Sequence, residues 1–212
     1  MAQGYFVTFE GGEGAGKSTQ LRLLAEALRR HGIPVVTTRE PGGSAGAEQI
    51  RSLLVEGETG RWDSMTEALL HFAARRDHVA RTVWPALAEG QWVLCDRFAD
   101  STLAYQGYGH GLPHHAIEQL YDMTIGAFAP DLTLILDLPV EEGLRRATGR
   151  GGDETRYERM GLAFHQRLRQ GFLDIAQHHP ERCVVLPASA SVDVVQVKVL
   201  EAVEERLLAR AR

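Results

Sequence analysis

Short, continuously apolar segments alternate along this chain with longer segments in which apolar residues recur every three to four positions. The apolar segments predict β-strands at residues 5–9, 34–38, 92–95, 132–136 and 183–186. The helical spacing predicts helices at residues 20–30, 47–55, 64–88, 115–128, 141–148, 163–177 and 192–212. The long helix is expected to break or end around Pro85, and residues 101–111 are expected to form a loop or the start of a helix.

This alternation predicts the class of fold. Strands that are apolar at every position are buried on both faces, which is typical of parallel sheets with helices packed on each side. We therefore expect an α/β protein with a doubly wound, parallel five-stranded sheet and right-handed crossovers. The sequence shows no internal repeat and no low-complexity linker, so we expect one domain over residues 1–212.

Composition narrows the function classes. The chain is 44% hydrophobic and 24% charged, its net charge is −5 and its pI is near 6.0, which argues against a protein that coats nucleic acid. No apolar segment approaches the ~20 residues of a membrane helix, and no secretory signal is visible. Cys95 and Cys183 form no CxxC pair, which favours a reducing compartment. We expect a cytoplasmic protein without nucleic-acid or membrane partners.

A glycine-rich loop stands between the first predicted strand and the first predicted helix. It reads Gly11-x-x-x-x-Gly16-Lys17-Ser18, in which backbone N–H groups surround phosphates, Lys17 reaches the β- and γ-phosphates and the Ser18 hydroxyl ligates Mg²⁺. A dinucleotide-binding motif fits less well, because Lys17 stands where a glycine is needed. The residues expected to bind the nucleoside triphosphate are Gly11, Gly12, Glu13, Gly14, Ala15, Gly16, Lys17, Ser18 and Thr19.

Two further charged segments follow predicted strands, at residues 39–43 and 96–97. Because the carboxyl ends of parallel strands meet at one edge of a sheet, these segments and the loop are expected to share a crevice. Asp96 and Asp137 each end an apolar strand, so either could contact the metal. Arg97 favours Asp96, its neighbour, because an arginine at a strand end beside the nucleotide site is suited to bind a phosphate through two hydrogen bonds. An ion pair of Arg97 with Asp96 or Asp100 is the ordinary alternative. No guanine-reading Asn-Lys-x-Asp occurs, which leaves small kinases.

Five further segments stand out: Thr38-Arg-Glu-Pro-Gly-Gly43, Asp96-Arg97-Phe98, Asp100-Ser-Thr-Leu-Ala-Tyr-Gln-Gly-Tyr-Gly109, Pro130-Asp-Leu-Thr-Leu-Ile-Leu-Asp-Leu138 and an arginine-rich segment at 145–156. Together with the glycine-rich loop, they resemble the motifs of the bacterial thymidylate kinase family. The resemblance covers nearly the whole chain. It implies a P-loop kinase fold, transfer of phosphate from ATP to thymidine monophosphate with Mg²⁺, and a homodimer, for which the 64–88 helix is an interface candidate.

The resemblance also implies roles for single residues. Glu13 corresponds to a carboxylate that contacts the sugar 3′-hydroxyl, Arg97 to the arginine that binds the acceptor phosphate, and Tyr105 to an aromatic ring that leaves little room for a 2′-hydroxyl. Glu40 and Asp96 correspond to polar groups around Mg²⁺ and its waters. In full, the acceptor would contact Glu13, Arg39, Glu40, Arg51, Phe72, Arg75, Arg97, Ser101, Thr102, Tyr105 and Gln106, and the metal would contact Ser18 and Asp96.

One position departs from the family pattern. Members usually carry an aromatic residue four positions before the arginine that reads the base, and that arginine corresponds to Arg75. The position four earlier is His71, whereas Phe72 is three earlier and reaches the same helix face. We expect Phe72 to stack on the base, with His71 as the alternative, and Phe72 as part of the core as the ordinary interpretation.

The segment at about 145–157 is expected to act as a mobile lid over ATP. The phosphate loop lacks the extra arginine that some thymidylate kinases carry, and members without it have basic residues in the lid. Arg150, flanked by glycines, is the first candidate to meet the transferring phosphate, and Arg156 is the second; Lys17 and Arg97 complete the expected catalytic set.

Two alternatives to this function stay open. A kinase of another small metabolite would share the scaffold but leave Phe72, Arg75 and Tyr105 without a role. An ATP-dependent partition or motor protein would need a positive nucleic-acid surface or a switch loop, and the sequence shows neither.

Overall fold

A five-stranded parallel sheet forms the centre of the computed structural model, which describes residues 4–148 and 156–209. The strand order is β2-β3-β1-β4-β5. The strands are β1 Phe6–Glu10, β2 Val35–Arg39, β3 Trp92–Asp96, β4 Leu132–Asp137 and β5 Cys183–Pro187. Each predicted strand is confirmed, with ends that differ by at most one residue.

Helices connect the strands and cover the sheet. They are α1 Lys17–Arg30, α2 Ala45–Val55, α3 Ser64–His78, α4 Trp84–Ala88, α5 Ala99–Thr102, α6 His114–Thr124, α7 Val140–Thr148, α8 Leu162–His178 and α9 Val192–Val203. π-helical segments extend three of them, at Val79–Val83, Leu103–Gly109 and Glu204–Leu208. None of the described helices is long and apolar enough to cross a membrane.

The long helix expected at 64–88 is divided earlier than predicted. α3 ends at His78, and the π-helical segment at Val79–Val83 carries the chain into α4. Pro85 lies in the first turn of α4, directly after the π-helical segment, and because it has no N–H it cannot donate to a carbonyl of that preceding turn. The segment predicted as a loop or helix start at 101–111 is helical through Gly109.

Side chains on the two faces of the sheet enter separate apolar clusters. Val7 and Phe9 of β1 pack with leucines of α1 and valines of α9, whereas Phe6 packs with Val79 and Val83 on the other face. Because alternate residues of the same strand are buried in opposite directions, helices cover both faces. The predicted doubly wound arrangement is confirmed.

Candidate active site

The carboxyl ends of β1, β2 and β3 meet at a cavity of about 520 Å³. The register pairs Phe9 and Arg39 with Asp96, so the three strand ends lie side by side. The predicted residues that line the cavity are Glu13, Gly14, Ala15, Gly16, Lys17, Ser18, Arg39, Glu40, Arg51, Arg75, Asp96, Arg97, Ser101, Thr102, Tyr105 and Gln106. The expected common crevice therefore exists, and its wall also contains His71 and Tyr157.

The phosphate loop wraps around the ammonium group of Lys17. Lys17 Nζ donates to the carbonyl oxygens of Gly12 at 2.8 Å and Gly11 at 3.2 Å. Burial lowers the pKa of Lys17 to about 8, an effect that nearby Arg97 adds to and Glu13 opposes. A phosphate in this loop would supply an anion for a cation whose hydrogen bonds, among the described residues, go to these two carbonyl oxygens.

The phosphate loop rests directly on helix α7. Gly14 and Gly143 face each other with no side chain between them: a Cβ added at Gly143 would lie 2.4 Å from the carbonyl oxygen of Glu13. A Cβ added at Gly14 would lie 2.1 Å from the carbonyl oxygen of Gly143, and Gly14 also has a positive φ of 68°. This backbone-to-backbone contact holds the loop against α7.

Two oxygen-bearing side chains lie together beside the loop. Ser18 Oγ donates to Asp96 Oδ2 at 2.5 Å. Asp137, the other candidate, ends β4 but forms a two-point contact with Arg169, at 2.7 and 2.8 Å, and does not line the large cavity. A hydroxyl and a carboxylate next to a phosphate-binding loop suit Mg²⁺, which is usually held by one or two protein oxygens together with substrate phosphates and waters.

Arg97 stands at the centre of the cavity wall in a left-handed conformation with φ of 70°. Its guanidinium donates to the Gly11 carbonyl at 3.0 Å, to Ser101 Oγ at 3.2 Å and to Glu13 Oε1 at 3.1 Å. Burial by itself would raise the pKa of Glu13, but Arg97 and Lys17 hold it at about 2. The ordinary alternative, an ion pair of Arg97 with Asp96 or Asp100, is not found among the described residues: Asp96 accepts from Ser18, and Asp100 binds the guanidinium of Arg182.

Arg75 lies deeper in the cavity wall and is nearly fully buried. Its Nε donates to Glu40 Oε2 at 2.7 Å, and its Nη2 donates to the Phe98 carbonyl and to Thr102 Oγ1 at 3.0 and 2.9 Å. The second oxygen of Glu40 pairs with His78 Nδ1 at 2.9 Å. Glu40 thus orients Arg75, and the structure does not place it at the Ser18–Asp96 pair, where the resemblance put it.

Phe72 and His71 occupy opposite environments. Phe72 is 1% exposed, packs against Ala68 and Ile117 and does not line the cavity. His71 does line it, its Nε2 lies 3.1 Å from the Tyr157 hydroxyl, and burial lowers its pKa to about 3. The structure therefore brings His71, but not Phe72, into the cavity wall, and the Phe72 ring lies in an apolar cluster with the Arg75 guanidinium 4.8 Å from its centroid. Which of the two rings stacks on the base stays a prediction.

A polar stripe on α3 escaped the sequence analysis. The stripe consists of Glu67, His71, Arg75 and His78. Intervals of four, four and three residues separate them, which places all four on one face of the helix. The first is 1% exposed and accepts hydrogen bonds from Gln106 Nε2 at 3.1 Å and from Tyr157. This helical spacing of ionisable residues was the signal that could have identified the cavity wall.

The remaining predicted residues lie at the rim or away from it. Arg39 pairs with Glu48 at 3.1 Å, and Arg51 donates to the Pro41 carbonyl at 2.6 Å; both line the cavity. Gly11, Gly12 and Thr19 belong to the loop and α1 but do not line the large cavity.

Of the two arginines predicted to act in the lid, the structure describes one. Arg150 lies outside the described residues, so its role stays a prediction. Arg156 is 1% exposed and donates to Glu67 Oε2 and the Leu54 carbonyl, both at 2.9 Å, and to the Glu58 carbonyl at 3.1 Å. Its guanidinium is engaged inside the protein, and reaching a phosphate would require breaking these bonds.

Comparisons with known proteins show the family of this chain. The sequence model of the family described as thymidylate kinase matches residues 9–199. Thymidylate kinase of Caulobacter vibrioides is 56% identical over 207 residues, which cover 98% of this chain and 99% of the relative, and that of Magnetococcus marinus is 50% identical, covering 96% and 97%. The crystal structure of thymidylate kinase from Ehrlichia chaffeensis superposes with a TM-score of 0.77 at 37% identity, covering 94% and 98%. The chain belongs to the thymidylate kinase family.

Proposed function

We propose that the large cavity holds thymidine monophosphate beside the phosphate loop, with Arg97 on the acceptor phosphate and Lys17 on ATP. The reaction follows from family membership: the γ-phosphoryl group of ATP passes to thymidine monophosphate and gives the diphosphate. The observation that carries the assignment of roles is the placement of two cations, Lys17 in the loop and Arg97 opposite it, in the wall of one cavity. One serves the donor and the other the acceptor.

In this reaction the residues have to position the two phosphates and to offset negative charge. The acceptor phosphate is ionised at neutral pH, so no protein base has to remove a proton from it. Arg97 orients that phosphate toward the γ-phosphorus, and Lys17 offsets the charge that spreads over the equatorial oxygens. Glu13 accepts from both Arg97 and the Tyr105 hydroxyl, which holds the acceptor side of the site rigid before substrate binds.

Ser18 and Asp96 would hold the magnesium ion that accompanies ATP. Their oxygens lie within 2.5 Å of each other next to the loop, and the described residues contain no cluster of three or more His, Cys, Asp or Glu side chains that would compete for the metal. Bound there, Mg²⁺ would neutralise charge on the β- and γ-phosphates.

Arg150 and a cytoplasmic homodimer complete the proposal. The sequence of residues 145–157 supports a lid whose Arg150 meets the transferring phosphate.

The exposed side chains Met65 and Leu69 support α3 as part of a dimer interface. Sedimentation of the purified protein tests the dimer: a monomer at micromolar concentration would contradict it.

A coupled assay for ADP tests the function. With ATP, Mg²⁺ and thymidine monophosphate, ADP should form in step with thymidine diphosphate, and omission of the acceptor should reduce ADP to a small fraction. Shikimate and ribose serve as control acceptors for the small-metabolite alternative. ADP production that does not depend on the acceptor would identify an ATPase and overturn the proposal.

Replacement of His71 separates the two candidates for base stacking. In His71→Ala we expect thymidine monophosphate to bind more weakly by ~1–3 kcal/mol, the range of a lost base-aromatic stack, with kcat near that of wild type. Phe72→Leu should lower the melting temperature because it alters a packed cluster, and should leave the acceptor KM nearly unchanged. His115→Ala, on the exposed side of α6, is the control. A normal KM in His71→Ala together with a raised KM in Phe72→Leu would restore the original assignment.

A further inference from the structure

The carboxylate of Glu67 is the centre of a buried hydrogen-bond cluster under the acceptor side of the cavity. Oε1 accepts from Gln106 Nε2 at 3.1 Å and from the Tyr157 hydroxyl, and Oε2 accepts from Arg156 Nη2 at 2.9 Å. Glu67 and Arg156 are each 1% exposed, and Gln106 is 0% exposed. None of the roles assigned above uses this carboxylate, although it touches a residue that lines the cavity.

The chemistry of Glu67 decides which way the Gln106 amide points. A carboxylate paired with a guanidinium only accepts hydrogen bonds, so Gln106 has to offer it the NH₂ end of its amide. The oxygen end, Oε1, then remains buried and has no hydrogen-bond partner within residues 4–148 and 156–209. An unpaired acceptor in a residue of the cavity wall is costly unless a ligand satisfies it.

Arg75 carries the opposite kind of unpaired group. Its Nε and Nη2 groups donate hydrogen bonds to Glu40, Phe98 and Thr102. Its Nη1 group is buried and has no hydrogen-bond partner within the same described ranges. Thr102, which accepts from Arg75, lies four residues before Gln106 along the same helical stretch, so the two groups border the same part of the cavity. At this part of the wall, Arg75 thus carries an unpaired donor and Gln106 an unpaired acceptor.

We propose that Glu67 is a positioning residue that sets the base preference of the acceptor site by fixing the Gln106 amide with its oxygen available. Resting on the proposed function, this inference specifies the base edge: a 4-keto pyrimidine presents an O4 acceptor to Arg75 Nη1 and an N3–H donor to Gln106 Oε1. A 4-aminopyrimidine presents a donor and an acceptor in the reverse order, and both contacts fail. Discrimination therefore depends on a residue that does not touch the base.

The same cluster fixes the tautomer of His71. The Tyr157 hydroxyl gives its proton to Glu67, because the carboxylate has none to give, and so accepts from His71 Nε2–H at 3.1 Å. Burial and the neighbouring arginines Arg75 and Arg156 hold the pKa of His71 near 3, which keeps the ring neutral. A neutral ring in a fixed orientation is suited to lie against an uncharged base.

The test compares base ratios within each variant. In Glu67→Gln the new amide can accept or donate, so the Gln106 amide is free to turn. We expect the ratio of kcat/KM for thymidine monophosphate over deoxycytidine monophosphate to fall at least about tenfold, the scale of one hydrogen bond. The ratio of thymidine over deoxyuridine monophosphate should stay unchanged, because uracil and thymine share the same edge. Glu67→Asp, which keeps an acceptor-only group, should preserve both ratios within about threefold.

Two further variants separate the effect of the hydrogen-bonding character of residue 67 from the effect of a less stable fold. Glu67→Gln leaves Arg156 buried without its carboxylate, so the double variant Glu67→Gln/Arg156→Met removes both charges and should fold more readily. Tyr157→Phe loosens the same cluster but leaves the Glu67–Gln106 bond, and should keep the thymidine-to-deoxycytidine ratio. An unchanged ratio in both Glu67→Gln variants would overturn the inference. Wild-type protein that phosphorylates neither thymidine nor deoxyuridine monophosphate would instead contradict the proposed function.

Discussion

Arg97→Ala is expected to lower kcat/KM for thymidine monophosphate about 10³-fold, the scale of losing one partner of a buried, hydrogen-bonded charge pair. The loss should appear mainly in the acceptor KM and in kcat, while ATP binding changes little. Arg97 lies 16% exposed between the Gly11 carbonyl and the Glu13 carboxylate, so its guanidinium is fixed before the acceptor phosphate arrives. Steady-state kinetics with each substrate varied in turn measure this.

Two variants control the Arg97 result. Arg97→Lys keeps the charge but loses the planar fork, so we expect an intermediate loss of about tenfold or more. Arg22→Ala removes an exposed arginine of α1 that pairs with Glu26, and should behave like wild type. Arg97→Lys with wild-type turnover would mean that Arg97 only supports the fold around Glu13.

Lys17→Met should reduce kcat by about 10²-fold or more, because it removes a cation from the oxygens on which charge develops. The chain contains one other lysine, Lys198, at the partly exposed face of α9, so Lys198→Met is a matched control and should retain activity. Melting temperatures of both variants show whether the loss is catalytic. Near-normal kcat in Lys17→Met would exclude this lysine from transition-state stabilisation.

The pH dependence of ATP binding gives an independent check on Lys17. Its pKa is lowered to about 8, so in the free protein Lys17 loses its proton as pH rises through 8, whereas bound phosphates favour the charged form. ATP affinity of the wild type should therefore fall between pH 8 and 9.5, with proton uptake measurable by calorimetry in buffers of different ionisation enthalpy. Glu10, whose pKa burial raises to about 8, titrates in the same range. Lys17→Met retains Glu10, so the difference between the two proteins isolates the lysine.

The sheet could be predicted from the sequence because its signal is local. A strand such as β4, buried at every position from Leu132 to Leu136, is apolar in sequence as well as in structure. The phosphate loop was equally visible, since its glycines and lysine follow a fixed spacing. Helix interiors were less predictable: the π-helical segment at Val79–Val83 packs against Phe6 of β1 and against Phe98 just beyond β3, and contacts between such distant segments are not visible in any short stretch of sequence.

The depth of the site was harder to predict than its rim. The choice of Phe72 over His71 followed residue type, although the two differ by 100° around the helix and only tertiary structure shows which side faces the cavity. Glu67 was missed for a related reason: an acidic residue on an amphipathic helix is usually solvated, and its partners Gln106 and Arg156 come from distant segments. Residue types therefore indicated the kind of chemistry, whereas packing determines which side chains line the cavity.

The contact between the phosphate loop and α7 sets how freely one position can vary during evolution. Gly143 lies inside a helix, where alanine is ordinarily better than glycine by about 1 kcal/mol. Here a single methyl group would meet the Glu13 carbonyl at 2.4 Å. Gly161, before α8, has open space around it and an ordinary φ of −65°. In a saturation-mutagenesis library selected for activity, Gly161 should accept many residues. At Gly143, in contrast, only glycine should remain after selection.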